Sequence, residues 1–233
     1  MKHPFEPYAD KTAVQDAAAD AIEQCVRSAV ADRGVCRISL SGGSTPRGIY
    51  ERLGRRDLPW SDVHWFWGDE RNVPPDHADS NQAMVRQTML TPAGVAESHI
   101  HPVPTTVGDP HEVSRQYESV LRDHFDTDWP RWDLMLLGMG DDAHTASLFP
   151  GTDAIDQTDR WFVENHVPQL NTHRYTLTYP AINSAREIWF LITGEAKREA
   201  LTHVLGEHRD PHQYPSQLIQ PTRWFVSKDA VES

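Results

Sequence analysis

The stretch WDLMLLGMGDDAHTASLFPG at residues 132–151 decides the fold class and the place of the site. Its apolar run, residues 134–137, stops at a glycine, which is typical of a buried strand in a parallel sheet. Asp141, Asp142 and His144 follow in the turn after that strand. Open α/β sheets bind ligands at the carboxyl ends of their parallel strands. His144 is therefore a candidate general base, oriented by one of the two carboxylates.

Two other interpretations fit parts of this stretch. A histidine after a strand is often an ordinary polar loop residue. Gly138, Gly140 and Ala143 also match the G-x-G-x-x-G/A pattern of a dinucleotide site, with Glu164 about 20 residues later as its acidic residue. Pro150 argues against dinucleotide binding, because it would interrupt the helix whose N-terminus holds the pyrophosphate.

The composition limits the class of protein. With 233 residues, 38% of them hydrophobic, the chain can form a sizeable core, and we expect one domain over residues 1–233. The formal net charge of −12 argues against a nucleic-acid partner or an anionic membrane surface, since both need a basic patch. An anionic small substrate would need a local cluster of arginine and lysine.

Cysteine usage and hydropathy favour the cytoplasm. Cys25 and Cys36 lack the CxxC spacing of a zinc or redox site and are too few for a disulfide scaffold. No apolar run approaches the roughly 18 residues of a membrane-spanning helix, and the first ten residues, MKHPFEPYAD, do not resemble a signal peptide. We therefore expect a soluble cytoplasmic protein.

Helix and strand signals alternate along the chain. Helices are predicted over residues 12–33 (capped by Thr12), 45–53 (capped by Thr45), 79–90, 109–125 and 197–206. Strands are predicted over residues 35–40, 63–67, 134–137, 161–167, 174–178, 187–193 and 223–226. This alternation predicts an α/β fold with a largely parallel sheet and helices on both faces.

A glycine-rich turn, SGGSTP at residues 41–46, follows the first strand. The backbone N–H groups of Gly42, Gly43, Ser44 and Thr45 would lie at the start of a helix. Free donors and the helix dipole both favour negative charge there, so the turn is a candidate anion site. An ordinary strand-to-helix turn is the alternative.

Charged side chains follow two further strands. Glu70 and Arg71 come after the strand that ends at Trp67, and they either line a site or pair on the surface. Lys197 lies in the first turn of a helix, where a lysine is unfavourable unless an anion shares the site, although a solvated lysine is the alternative. If the sheet is parallel, these side chains, the glycine-rich turn and His144 all face one edge.

One histidine pair gives a weak metal signal. His99 and His101 flank Ile100 in a short extended segment and share one face at period two. A third ligand is not evident in the sequence, so we expect no metal site.

Four segments, in this order, resemble the motifs of the 6-phosphogluconolactonase family. They are SGGSTP (41–46), GDER (68–71) with VPPDH (73–77) and Ser80-Asn81, GMGDDAHTASLFP (138–150), and GEAK (194–197). The resemblance spans nearly the whole chain, and the third segment is the most specific. It implies a modified Rossmann-like α/β fold shared with glucosamine-6-phosphate deaminases. It also implies hydrolysis of 6-phospho-D-glucono-1,5-lactone in the oxidative pentose phosphate pathway, without a metal or cofactor.

The residues suit that reaction, because a lactone is an activated ester and needs only water and one base. Neutral His144 would take a proton from water as the water attacks C1, and would return it to the ring oxygen as that oxygen leaves. Asp142 or Asp141 would orient the imidazole. Backbone N–H groups near Gly43 or in the Gly140 turn would hold the oxyanion.

The same resemblance gives the phosphate a place to bind. Arg71, Lys197 and the turn at residues 42–45 would hold the 6-phosphate. Ser44 and Ser147 are conceivable nucleophiles, but neither lies in a G-x-S-x-G elbow. We expect a monomer or a weak homo-oligomer.

One residue departs from the family pattern. Ala143 stands where the family usually has glycine between the Asp and the His. Glycine is required where φ is positive, and both Asp142 and His144 are retained here. We therefore expect a negative φ at Ala143 and an active enzyme.

Two other functions remain open. An isomerase or deaminase of the same fold needs an added acid after the histidine, and residues 146–149 contain no carboxylate. A non-catalytic sugar-phosphate sensor is usually joined to a DNA-binding module, and no basic helix-turn-helix segment is evident.

Overall fold

The computed structural model describes residues 4–106 and 108–232. The strands are β1 Cys36–Leu40, β2 Val63–Trp67, β3 Asp69–Arg71, β4 Ile100–His101, β5 Leu134–Leu137, β6 Phe162–Val167, β7 Thr172–Leu177, β8 Ile188–Ile192 and β9 Arg223–Val226. The α-helices are α1 Lys11–Arg33, α2 Ser44–Leu53, α3 Asn81–Val85, α4 Pro110–His124, α5 Tyr179–Asn183 and α6 Arg198–Leu205.

A parallel sheet forms the centre of the molecule. Its strand order is β4-β2-β1-β5-β8-β9, and every neighbouring pair is parallel. Ile38 of β1 lies opposite Trp65 on one side and Leu134 on the other. The predicted α/β class with a largely parallel sheet flanked by helices is confirmed.

A second sheet, in the order β3-β7-β6, is antiparallel. Residues 69–71 were expected in a loop, but they form β3, with Arg71 opposite Arg174 of β7. Gly68 makes the transition, because its N–H donates to Leu40 O in β1 and its carbonyl accepts from Leu177 N–H in β7. The charged segment after β2 is thereby held beside the carboxyl ends of the parallel strands.

Two helix caps differ from the prediction. Asp10, not Thr12, caps α1, and its Oδ1 accepts from Ala13 N–H at 2.8 Å. Gly43, not Thr45, is the N-cap of α2, with a φ of 101° that suits glycine. The consequence is that α2 begins closer to β1 than predicted, so its free N–H groups lie at the end of that strand.

The core is aromatic and lies between the parallel sheet and its helices. The largest fully buried side chains include Trp65, Trp67, Trp132, Phe66 and Phe190. Across the described ranges, no helix combines the length and the apolarity needed to cross a membrane. The first three residues of the N-terminal segment interpreted above lie outside the described part of the chain.

Candidate active site

A cavity of about 240 Å³ opens at the carboxyl edge of the parallel sheet. All four predicted segments contribute to its lining, which includes Ser41, Gly42, Gly43, Ser44, Thr45, Asp69, Arg71, Gly138, Gly140, His144 and Lys197. The expectation that these junctions face one edge is confirmed, because the strands that carry them run in the same direction. The cavity therefore combines a histidine, a glycine-rich turn and two cations.

His144 is held by the carboxylate of Asp142. Its Nδ1 lies 2.6 Å from Asp142 Oδ1, and the same oxygen accepts from the His144 backbone N–H at 3.0 Å. Asp141 is exposed, and no described residue hydrogen-bonds its carboxylate. The sequence left both carboxylates open as partners for the ring, whereas the geometry brings Asp142 to it.

The ionisation of Asp142 depends on its contact with His144. Burial works against ionisation of Asp142, but the hydrogen bond and charge of His144 outweigh it and hold the pKa of that carboxyl below its ordinary value. Asp142 is therefore a carboxylate at neutral pH. Because it engages Nδ1, the Nε2 atom of His144 is left for substrate or water.

Three contacts fix the loop that carries His144. The imidazole stacks on Phe149, with ring centroids 4.1 Å apart. The hydroxyl of Thr145 donates to Gly138 O at 2.8 Å. A Cβ at Gly140 would lie 2.1 Å from His144 Nδ1, so only glycine lets the ring pack against the backbone there.

The prediction of a negative φ at Ala143 was wrong. The observed φ is 64°, in the left-handed region, and Ala146 also has a positive φ of 48°. The Ala143 carbonyl accepts from both the N–H and the hydroxyl of Ser216, at 3.0 and 2.8 Å. These two bonds come from a distant segment and impose a conformation that alanine alone disfavours.

The glycine-rich turn presents free donors to the cavity. No described acceptor takes the N–H of Gly42 or Gly43, and Ser44 N–H is at the first turn of α2, where N–H groups have no partner within the helix. A Cβ at Gly42 would lie 1.9 Å from Asn81 Oδ1, so this position also requires glycine. Thr45 Oγ1 lies 2.6 Å from Thr193 Oγ1, which joins the turn to the end of β8.

One of the predicted oxyanion donors, the Gly140 N–H, already has an acceptor within the protein. The Gly140 N–H donates to His144 O at 2.8 Å, so it stabilises the loop instead of facing the cavity. The N–H groups of Met139 and Asp141, on either side of Gly140, have no acceptor among the described residues, and neither do those around Gly43, so both predicted sources remain open.

Both predicted cations line the cavity. Arg71 reaches the cavity from β3, and its Nη1 donates to Asp79 O at 2.9 Å. Lys197 ends the 3₁₀ turn Glu195–Lys197 just before α6, and no described acceptor binds its ammonium. Arg174 lies beside Arg71, where burial and the neighbouring guanidinium lower its pKa.

The interpretation of Glu70 and Arg71 as a surface pair was wrong. Glu70 is 1% exposed, and its carboxylate accepts from the backbone N–H groups of Asn81 and Gln82, each at 2.8 Å. Burial raises its pKa even though these bonds oppose the shift. Glu70 therefore anchors the start of α3, and Arg71 is left to face the cavity.

The sequence placed Asp69 in a charged junction without giving it a role, and it did not indicate Lys11. Asp69 is buried on the cavity wall and accepts from the Ser147 hydroxyl at 2.8 Å, which removes Ser147 as a free nucleophile. Lys11 Nζ donates to Ser44 Oγ at 2.9 Å and brings a further ammonium to the glycine-rich turn. Neither could be placed without the tertiary fold, since their partners are 78 and 33 residues away.

The dinucleotide interpretation was wrong. Residues 138–152 form turns and an isolated bridge between Thr145 and Leu148, with no helix after β5 to receive a pyrophosphate.

Comparisons of the sequence and of the structure with known proteins indicate the same family. The sequence matches the family of glucosamine-6-phosphate isomerases/6-phosphogluconolactonase over residues 9–228. It is 43% identical over 214 residues to a 6-phosphogluconolactonase of Synechocystis, with 89% of this chain and 88% of that one covered. It is 42% identical over 224 residues to a 6-phosphogluconolactonase of Nostoc, with 95% and 92% covered. The crystal structure of 6-phosphogluconolactonase from Thermotoga maritima matches with a TM-score of 0.84 at 28% identity, covering 96% of this chain and 98% of that one.

Proposed function

The chain belongs to the glucosamine-6-phosphate isomerase/6-phosphogluconolactonase family, and we propose that it hydrolyses 6-phospho-D-glucono-1,5-lactone with His144 as the base. The product is 6-phospho-D-gluconate, and the reaction belongs to the oxidative pentose phosphate pathway. The observation that carries the assignment of His144 is its contact with Asp142 at the wall of a cavity that also contains Arg71 and Lys197.

The reaction needs one proton to move twice. His144 Nε2 takes a proton from water while the water oxygen forms a bond to C1 of the lactone and the carbonyl π electrons move to its oxygen. When the tetrahedral intermediate collapses, the bond from C1 to the ring oxygen breaks, and the imidazolium gives its proton to that oxygen. Asp142 keeps the ring in the tautomer with hydrogen on Nδ1 and stabilises the transient positive charge.

The rest of the cavity supports the charges of substrate and intermediate. The N–H groups of Gly42, Gly43 and Ser44 at the start of α2 would stabilise the oxyanion or a phosphate oxygen. Arg71 and Lys197 would bind the phosphate, Arg71 by paired donors and Lys197 as a compact charge. A protein with a net charge of −12 needs such a local group of cations to attract an anionic substrate.

The chemistry requires neither a cofactor nor a metal, because the lactone carbonyl is already activated. We place the reaction in the cytoplasm, where this pathway runs, and we expect the protein to act as a monomer or a weak homo-oligomer without nucleic acid. An isomerase or deaminase is less well supported, since residues 146–149 provide no acid after His144 and Ser147 is bound to Asp69.

The decisive assay is proton release after addition of freshly prepared 6-phosphogluconolactone, measured against the uncatalysed rate. We expect fast release that saturates with substrate. Ammonia release from glucosamine 6-phosphate would instead identify a deaminase. Binding of the sugar phosphate without turnover would identify a sensor.

A further inference from the structure

Three histidines meet on the parallel sheet, outside the lining of the active-site cavity. His64 comes from β2, His101 from β4 and His124 from the end of α4. Their nearest ligand nitrogens all lie within 4.8 Å of one another, and His64 Nδ1 lies 2.9 Å from His101 Nε2. The ring centroids of His101 and His124 are 4.0 Å apart. From the sequence, His101 was paired with His99 and no third ligand was evident, so His64 and His124 were missed.

We propose that His64, His101 and His124 bind a divalent transition-metal ion of the zinc type. Three imidazole nitrogens with no carboxylate or thiolate among them are a ligand set that suits Zn²⁺, Ni²⁺ or Cu²⁺ and not Mg²⁺ or Ca²⁺. The fourth position is left for water, or for His99, whose ring centroid lies 4.9 Å from that of His64.

The distances are close to those of a formed site. Zinc–imidazole bonds of about 2.0–2.1 Å put two ligand nitrogens roughly 3.4 Å apart in a tetrahedral site. The 2.9 Å separation of His64 and His101 needs to open by a fraction of an ångström, and no separation among the three ligand nitrogens exceeds 4.8 Å.

The three side chains are half-buried and close together. The rings of His64 and His101 are stacked, with centroids 5.2 Å apart, and the ring of His124 lies 5.3 Å from the first and 4.0 Å from the second. The alternative is that the three rings simply pack together. A hydrogen bond between His64 Nδ1 and His101 Nε2, 2.9 Å apart, accounts for that contact, but it does not account for the ligand nitrogen of His124, which lies within 4.8 Å of both.

Two charges act on the cluster in opposite directions. His124 is the last residue of α4, where the helix dipole favours a cation. Arg37 of β1 opposes a cation, because it lies opposite His64 in the register of β1 and β2 and carries a positive charge. Its guanidinium is placed over the ring of Phe125, 5.5 Å from the centroid, so it does not occupy the space between the three rings.

Such a site would have a structural role. β4 contains two residues at the edge of the sheet, and α4 ends at His124. A metal bound to all three histidines would fasten both elements to β2. An ion that binds the folded state and not the unfolded chain raises the free energy of unfolding.

The test uses the full-length protein, without a histidine tag, after treatment with a strong chelator. Zn²⁺ is titrated by calorimetry, and Co²⁺ is titrated by absorption spectroscopy, where visible bands report imidazole coordination. We expect a single equivalent to bind and, at saturation, a Tm higher by about 5 °C. Lactone hydrolysis should be unchanged by the chelator and by Zn²⁺, so failure of the metal site is distinguishable from failure of the proposed function.

Matched variants locate the ion. His101→Gln and His124→Gln should each weaken binding at least about tenfold, and Arg37→Gln should strengthen it by removing a nearby positive charge. His166→Gln is the control, because His166 packs against another histidine, His173, at 5.1 Å but lies outside the cluster. It should bind Zn²⁺ as the wild type does.

Three results would overturn the proposal: no binding to the wild type, binding that His101→Gln and His124→Gln leave unchanged, or loss of binding in His166→Gln. If a variant fails to fold, imidazole nitrogen NMR shifts of the wild type decide the matter. Zn²⁺ must then shift the resonances of His64, His101 and His124, and shifts confined to other histidines would contradict the assignment.

Discussion

Two loops at the ends of neighbouring strands form most of the cavity. Both contain backbone with a positive φ, but one has a glycine there and the other has alanines. The turn at residues 41–45 follows β1 and uses Gly43, at a φ of 101°, to enter α2. The loop at residues 138–149 follows β5 and holds Ala143 at 64° and Ala146 at 48°. Left-handed backbone is free for glycine, whereas an alanine there costs about 1–2 kcal/mol.

This difference between glycine and alanine corresponds to different roles for the two loops. The turn at residues 41–45 offers backbone donors, so it needs an open main chain and no side chain at Gly42. The loop at residues 138–149 positions one imidazole, and its strained alanine is held by two hydrogen bonds from Ser216. Strain that the surrounding structure imposes is a recurring feature of active sites. We therefore expect changes in the second loop to alter the chemical step, and changes around the first to alter substrate binding.

The sharpest test of this division is His144→Ala. Removing the base should lower kcat by at least about 10²-fold, because general base catalysis contributes that much or more. KM should change little, since the phosphate contacts are intact. Steady-state rates with fresh lactone, corrected for spontaneous hydrolysis, give both parameters. A variant that keeps more than a tenth of the wild-type kcat would show that another group activates the water.

Arg71→Ala tests the binding side of the comparison. Loss of a hydrogen bond to a charged group should cost roughly 1.5–3 kcal/mol, which appears as an increase in KM for the phosphorylated lactone. Residual activity on unphosphorylated gluconolactone should be nearly unaffected, so the ratio of kcat/KM for the two lactones is the measurement. Equal losses on both would mean that Arg71 supports the fold through its bond to Asp79 O.

The sequence predicts features that depend on neighbouring residues, and it misses features that depend on residues far away along the chain. Strands 63–67, 134–137 and 223–226 are defined by local apolar runs, and the structure has the same bounds. The antiparallel pairing of Arg71 with Arg174 joins segments far apart in sequence, so no local pattern could indicate it. The φ of Ala143 likewise depends on Ser216, 73 residues away.

Asp142→Asn should have a smaller effect than either change above. An amide can still hold the ring but does not stabilise its positive charge, so we expect kcat to fall about tenfold at neutral pH. The loss is smaller than for a fully buried carboxylate, because the side chain of Asp142 is 44% exposed. A KM that rises while kcat stays constant would contradict this role.

The same variant has a distinct pH signature. The pKa of Asp142 is lower in the folded protein than its ordinary value of 3.8. Its contribution to the free energy of unfolding is therefore complete above that value and disappears as the pH falls through the folded-state pKa. Urea unfolding of wild type and Asp142→Asn should differ at pH 6 and converge in strong acid. A constant difference would mean that the pair is not linked to protonation of Asp142.

The smallest effect is expected for Ala143→Gly. This change places a glycine at a position of positive φ in the second loop, as Gly43 already is in the first. Glycine removes a strain of about 1–2 kcal/mol. It also loses a fully buried methyl group, worth about 0.8 kcal/mol, and adds roughly 0.4–1 kcal/mol of unfolded-state entropy. Ala143 is 0% exposed, so the methyl group counts in full.

These contributions nearly cancel, so Tm should move by only a few degrees, about 2–4 °C per kcal/mol for a chain of this size. The Ser216 bonds to the Ala143 carbonyl do not depend on the side chain, so His144 should stay in place and kcat/KM should change less than tenfold. The expected size is the one inferred from the sequence, but the reason differs, because φ is positive. Ala146→Gly, at the other left-handed alanine, is the matched control. A large gain in kcat in Ala143→Gly alone would show that the strain misplaces His144. The second loop would then be less well adapted to its role than the first.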